Sequence, residues 1–204
     1  EKIINVALTP CTAKKMEIRR SEMNSAGKYL GKPDMRDMDH VITTRELALW
    51  AKEEGVDFIS LSDMPFDSPL GEASGAGVIF GNTGGVMEAA LRTATYLLTG
   101  KNPENAELKE VRGYQGIREN EIQVGDVTLR TAVIYGTANA KKFIEDMEKS
   151  GKVYHLIEVM TCPGGCIGGG GQPKDFSKDP DEVRKARISS IYTRDHEMKE
   201  RFSH

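Results

Sequence analysis

The apolar positions of this chain fall into two rhythms, short continuous runs and stripes spaced three or four apart. The run IINVALTPC, Ile3 to Cys11, ends on a proline and predicts a buried strand entering a loop. HVITT, residues 40–44, predicts a second short strand, and KEVRGY, IRENEIQVG and VTLRTAVIYG predict three more, with a turn at Gly125–Asp126. KVYHLIEVM predicts another strand, ending at Met160. Helical spacing appears in TRELALWAKEEG, where Leu47, Trp50 and Ala51 share a stripe, Thr43 and Glu46 stand at capping-box spacing, and Gly55 is a stop. GVMEAALRTATYLLTG predicts a helix with Val86, Ala89, Ala90, Thr93 and Leu97 on one stripe and Gly100 at its end. Thr137 to Gly151 predicts an amphipathic helix, TAKKMEIRR the start of one, and the last 26 residues one or two polar helices. SEMNSAGKYLGKPDMRDMD predicts a surface loop. Asp63 to Gly85, rich in Gly, Ser and Pro, predicts a loop of more than twenty residues with one apolar spot at Val78–Phe80. Strands alternating with helices indicate α/β layers.

Composition narrows the class. A chain of 204 residues with 38% hydrophobic and 29% charged residues reads as soluble and globular. The net charge of −3 and the lack of a basic block give no footprint for nucleic acid. No apolar run is long enough for a membrane span. The chain opens on Glu1, directly before a core-like strand, which leads us to expect a fragment, a processed product or a truncated form. Three cysteines, Cys11, Cys162 and Cys166, make no disulfide framework and point to a reducing, cytoplasmic setting.

The chemistry concentrates in EVMTCPGGCIGGGGQP. Cys162 and Cys166 flank Pro163, Gly164 and Gly165, which forbid a regular helix and turn backbone N–H groups inward. Two thiolates on such a loop suit a soft metal or an iron–sulfur cluster, and the glycines behind them leave room for a bulky group. A glycine-rich turn with two incidental cysteines is the plain alternative. Cys11 also stands behind a predicted strand, with Lys14 and Lys15 after it to favour the thiolate or hold a small anion; a solvated lysine pair is the alternative. FGNTGGVMEAALR reads as a loop feeding a helix N-terminus, without the Gly-Lys-Ser/Thr that would close a P-loop.

Taken together and in order, PCTAKKMEIRR, GEASGAGVIFGNTGGVMEAALRTA and EVMTCPGGCIGGGGQP resemble the catalytic domain of iron-only hydrogenases. The tail RKARISSIYTRDHEMKERFSH resembles the stretch behind the last cysteine motif in that family. The resemblance implies a two-lobed α/β fold with mostly parallel sheets flanked by helices and the cluster between lobes. Residues from about 1 to 100 and about 110 to 175 would contribute to different lobes, with a helical tail at 178–204. It implies a [4Fe–4S] cluster bridged to a two-iron centre carrying CO and cyanide. Cys11, Cys162 and Cys166 match three of the four cluster ligands, Cys166 the bridging one. Lys14 matches the lysine that hydrogen-bonds a cyanide, and Phe80 and Met160 match pocket residues. Glu17 matches the motif and receives no catalytic role. Thr9 stands where many members carry a methionine against the two-iron centre, which suits a divergent, sensory subclass. The family's Thr-Ser-Cys-Cys-Pro motif, with the fourth ligand and the proton-delivering cysteine, is not in these 204 residues.

The resemblance therefore implies part of an enzyme that interconverts H2 with protons and electrons, with a redox partner such as a ferredoxin, and inactive in isolation. Apolar surface left open where the rest of the parent packs leads us to expect self-association. Two other readings stand beside it. One is a non-catalytic, hydrogenase-like iron–sulfur assembly scaffold. The other is a zinc site of three cysteines and a histidine, for which His40 and His155 lack supporting spacing.

Overall fold

A computed structural model describes residues 3–65, 67, 71 and 73–203. The chain divides into two compact units: Glu1–Phe66 with Gly169–Asp175, and Asp67–Gly168 with Phe176–His204.

In the first unit, strand β1 (Val6–Thr9) lies parallel to β2 (His40–Thr43), with Val6 opposite His40 and Thr9 opposite Thr43. Between them run two short helices, α1 (Lys14–Glu17) and α2 (Ser25–Leu30). The segment around α2 departs from the predicted loop. Asp37 supplies the reason: its carboxylate accepts from the Ser25 and Ala26 amides, both at 2.8 Å, capping a helix whose own Asn24 makes no cap bond. Helix α3 (Thr44–Glu53) starts on the predicted capping box. The Glu46 amide donates to Thr43 Oγ1 at 3.2 Å, and the Thr43 amide donates to Glu46 Oε2 at 2.9 Å. Lys15 Nζ donates to Glu46 Oε1 at 2.7 Å, tying α1 to the start of α3. Of the predicted stripe only Ala51 is buried; Trp50 is 52% exposed.

Lys15, then the Thr43 backbone and hydroxyl, hold the Glu46 carboxyl down at about 2, against an ordinary 4.5. A depressed carboxyl contributes stability above its unfolded value and loses it as pH falls through the folded one. The carboxyl-carbon shift of Glu46 should therefore titrate with a midpoint near 2, and α3 should keep its cap down to that pH. A midpoint near 4.5 would mean that neither Lys15 nor Thr43 holds it.

The second unit has three layers. Strands β3 (Ile117–Val124) and β4 (Val127–Tyr135) form the predicted hairpin through Gly125–Asp126, and β5 (Leu156–Met160) joins β4 in parallel, giving order β3-β4-β5. The sheet is mixed rather than mostly parallel, because a two-residue turn can only return the chain antiparallel. KEVRGY is not a strand; Lys109–Val111 form a 3-10 turn whose Val111 is buried. Helix α4 (Gly75–Val78) and a 3-10 turn at Ile79–Gly81 occupy the end of the predicted long loop, with Ser74 as cap. Positions 66, 68–70 and 72 of that loop lie outside the described residues. Helix α5 (Gly85–Thr99) covers one sheet face through Met87 and Leu91 against Val111, Ile122, Val124 and Val133. Helix α6 (Thr137–Ser150) covers the other through Phe143, against Ala132 and Ile134. Adjacent β4 residues thus face opposite layers, the period-two pattern. Helix α7 (Pro180–Glu197) packs Ile191 and Tyr192 on Ala76, Ile79 and Ala89.

Two expectations change here. The predicted α5 stripe does not face the sheet: Val86, Ala89, Ala90, Thr93 and Leu97 line an open groove with Phe80. The buried side also carries Glu88 and Arg92, both fully buried as an ion pair at 2.8 Å, which apolar periodicity reads as a wet face. The lobes expected at about 1–100 and 110–175 also do not coincide with the units, because α5 belongs to the sheet of β3–β5. In the first unit Ala51 is the one buried apolar side chain among the described residues, while Leu8, Phe58, Ile59 and Met64 are exposed. No described helix is long and apolar enough to cross a membrane.

Candidate metal centre

Both cysteine segments begin where a strand stops. β1 stops at Thr9 because Pro10 has no N–H to continue a ladder. The Thr9 hydroxyl accepts from the Cys11 amide at 3.2 Å and donates to the Cys11 carbonyl oxygen at 3.0 Å. One side chain thus occupies both backbone groups of a half-buried cysteine. The two lysines behind it differ. Lys15 is bound to Glu46 and is structural. Lys14, on α1, pairs with Glu17 one turn on, its Nζ 2.6 Å from Oε2, and stays 47% exposed. Glu17 thus orients Lys14.

β5 ends at Met160, whose carbonyl oxygen accepts from the Gly136 amide at 2.8 Å. The next loop closes on itself: the Gly165 amide donates to the Cys162 carbonyl and the Gly168 amide to the Gly165 carbonyl, each at 3.0 Å. Cys162 is half-buried and Cys166, opening a 3-10 turn, is exposed. The Thr83 amide donates to the Gly164 carbonyl at 3.0 Å, fastening the loop to the turn before α5. Gly164 and Gly165 take φ of +77° and +95°, where a side chain is strained.

The glycines do make room, but for the protein's own atoms rather than for a bulky group. A Cβ on Gly165 would lie 2.7 Å from the Thr83 nitrogen and 2.8 Å from the Gly81 oxygen. One on Gly168 would collide with the Pro163 carbonyl. In the first unit one on Gly171 would lie 2.7 Å from Thr43 Cγ2. There the Gly171 amide donates to the Pro10 carbonyl and the Arg45 amide donates to the Gly171 carbonyl, each at 2.9 Å.

Thr9, Cys11 and Lys14 thus belong to the first unit, and Phe80, Met160, Cys162 and Cys166 to the second. Phe80 is 49% exposed and sits on the α5 groove. Among the described residues no three His, Cys, Asp or Glu side chains form a ready-made metal cluster. The donors still fit iron chemically: thiolates are its soft ligands, and the Cys162–Cys166 segment is a short backbone-closed loop with neither cysteine fully buried.

One residue the pattern did not single out stands behind this loop. Glu158, inside β5, is buried, and burial pushes its carboxyl upward in pKa, opposed by the Gly84 and Met87 amides. Its signal in the sequence was an acid inside an apolar strand.

Comparison with known proteins gives the family of the chain. Residues 1–170 match the family model for the C-terminal domain of the "Iron only hydrogenase large subunit". Iron hydrogenase 1 of Clostridium pasteurianum is 44% identical over 99% of this chain, which spans 34% of that protein. In Nitratidesulfovibrio vulgaris, the large subunit of the periplasmic [Fe] hydrogenase is 46% identical over 85% of this chain, spanning 39% of its length. A cytosolic Fe-S cluster assembly factor of Xenopus tropicalis is 31% identical over 93% of this chain, spanning 39% of its length. Among solved structures, an FeFe-hydrogenase variant, HydA1 from Chlamydomonas reinhardtii, superposes with a TM-score of 0.74 at 38% identity, covering 98% of this chain and 56% of that one. The chain thus spans about a third of the curated relatives it matches.

Proposed function

The chain belongs to the family of iron-only hydrogenase catalytic domains, the C-terminal part of the large subunit, and on that premise we propose that its parent protein interconverts H2 with protons and electrons. The observation that carries the reading is the loop after β5: two cysteines four residues apart on a turn closed by its own backbone hydrogen bonds. Cys11, Cys162 and Cys166 would hold the iron, and Cys166 would also serve the two-iron part. When bound, the [4Fe–4S] and two-iron centres supply single-electron transfer and an iron position for H2.

The residues of this chain do the rest. Thr9 fixes the backbone of Cys11 and so aims its sulfur. Lys14 carries three donors, of which Glu17 takes a share, leaving donors for an anionic ligand such as cyanide. Met160 and Phe80 present a thioether and a ring that exclude water. Three thiols are one short of the four that a [4Fe–4S] cluster takes, so the isolated 204 residues are expected to be inactive. On this reading the exposed apolar side chains of the first unit would pack against the rest of the parent polypeptide. The sparse cysteines add a cytoplasmic setting to the proposal, with a redox partner such as a ferredoxin.

The test is iron and acid-labile sulfide per chain on anaerobically purified parent protein, with an infrared spectrum of the same sample. The expected result is iron with CO and cyanide bands. Zinc without iron would overturn the reading. Iron without those bands would favour the second reading, an assembly scaffold, for which the 31% identity to a cytosolic Fe-S cluster assembly factor speaks.

A further inference from the structure

We infer that Glu158 is a positioning residue for the Cys162–Cys166 loop, acting through the turn that starts α5. The inference uses the proposed iron reading only for its consequence, since the geometry involves no metal.

Helix α5 lacks a cap of its own: Gly84 stands at the N-cap with φ +90° and no side chain to offer. Its free amides are taken by a carboxylate 74 residues away in sequence. The Gly84 amide donates to Glu158 Oε1 at 2.6 Å and the Met87 amide to Oε2 at 2.7 Å. Both are short, charge-assisted bonds in a site hidden from solvent. Gly84 accepts no side chain here, since a Cβ would strike the Val111 carbonyl. The turn is also held from the β3 side, where Arg118 Nη2 donates to Thr83 Oγ1 at 3.1 Å.

The turn then passes its position to the cysteines. The Thr83 amide holds the Gly164 carbonyl, and Gly165 packs on the Gly81–Thr83 backbone with no space for a methyl group. A closed circuit results: β5 carries Glu158, Glu158 fixes the start of α5, that turn fixes Gly164 and Gly165, and the chain returns to Glu158 through Cys162. The cysteine loop is therefore set in place before any metal arrives, the pre-organisation that a ligand set requires.

Glutamine at this position keeps one acceptor and turns its amide N–H2 toward the other donor, so one amide loses its partner. The experiment compares the wild-type parent chain, Glu158→Gln and Glu158→Asp, all free of iron. It reads peptide-resolved hydrogen exchange and the alkylation rate of each cysteine with iodoacetamide. In Glu158→Gln, exchange should rise about tenfold or more over residues 82–88 and 162–168, the scale of one lost charge-assisted bond. Exchange over residues 117–135 should hold, as should the alkylation rate of Cys11 in the other unit, while Cys162 reacts faster. Glu158→Asp, which keeps both oxygens, should fall between. Unchanged exchange in both segments, or an equal rise over residues 117–135, would overturn the inference and leave Glu158 a general stability residue. Iron content of the wild-type preparation is measured separately. A local exchange response without iron in the wild type sinks the iron reading and leaves the positioning role standing.

Discussion

Arg92→Leu is expected to destabilise the second unit by about 3–5 kcal/mol, a large part of the roughly 5–15 kcal/mol that holds a domain folded. Arg92 is fully buried on α5 and its five N–H donors are all used. Nε donates to the Ala106 carbonyl at 2.7 Å; Nη1 donates to Asp195 Oδ1 and to the Arg201 carbonyl, both at 2.9 Å; Nη2 donates to Glu88 Oε1 and Asp195 Oδ2, both at 2.8 Å. Leucine would leave Asp195, which is also fully buried, with Arg201, and Glu88 with Arg112 and the Leu108 amide. Burial pushes the Asp195 carboxyl up, and Arg92 and Arg201 together hold it below its usual value. The tail would loosen with it, because the residues after α7 reach α4 through Gly75 and Ala76, whose amides donate to the Glu200 and Arg201 carbonyls. Urea unfolding followed by circular dichroism measures the loss. A change under about 1 kcal/mol would mean that the carboxylates regain water and the network behaves as a surface one.

Cys166→Ser is expected to do the reverse: little to the fold, nearly everything to iron. Cys166 is exposed, and the close-packed glycines beside it set the course of the backbone. Stability should change by no more than about 0.5 kcal/mol. A hydroxyl in place of a thiolate offers a hard, protonated donor to a soft metal. Changes one shell outside a metal cost about 10–100-fold in affinity, so a lost ligand should cost more than about 100-fold. Iron per chain and the visible absorption of the reconstituted parent protein give the answer. Retained iron with full absorption would remove Cys166 from the ligand set.

The order of motifs was readable because glycine, proline and cysteine act locally. Gly164, Gly165 and Gly168 stand in their places for steric reasons that the residue type alone announces. The Thr43–Glu46 box and the Gly125–Asp126 hairpin were legible for the same reason. The features that escaped depend on partners distant in sequence. Helix α2 forms because Asp37 folds back on it. The buried face of α5 includes Glu88 and Arg92, and partners distant in sequence, Asp195 103 residues on and Arg112, make that burial tolerable. Glu158 looked like an interruption of a strand until α5 came to rest on it. The cysteine ligand set itself came from the order of three motifs and the family they resemble, which the family match carries further than spacing does.

The first unit is interrupted in the chain: Gly169–Asp175 complete it, and Arg45 waits for the Gly170 carbonyl, 125 residues downstream. A ribosome adding about 5–20 residues per second therefore takes on the order of ten seconds between releasing the Cys11 strand and delivering the glycines that seal it. During that interval β1 and β2 have few buried apolar contacts to hold them, with side chains such as Leu8 open to water. Through that interval Cys11 stands in a unit that lacks its last segment. Birth order sets when the first unit can close, however early its strands are made.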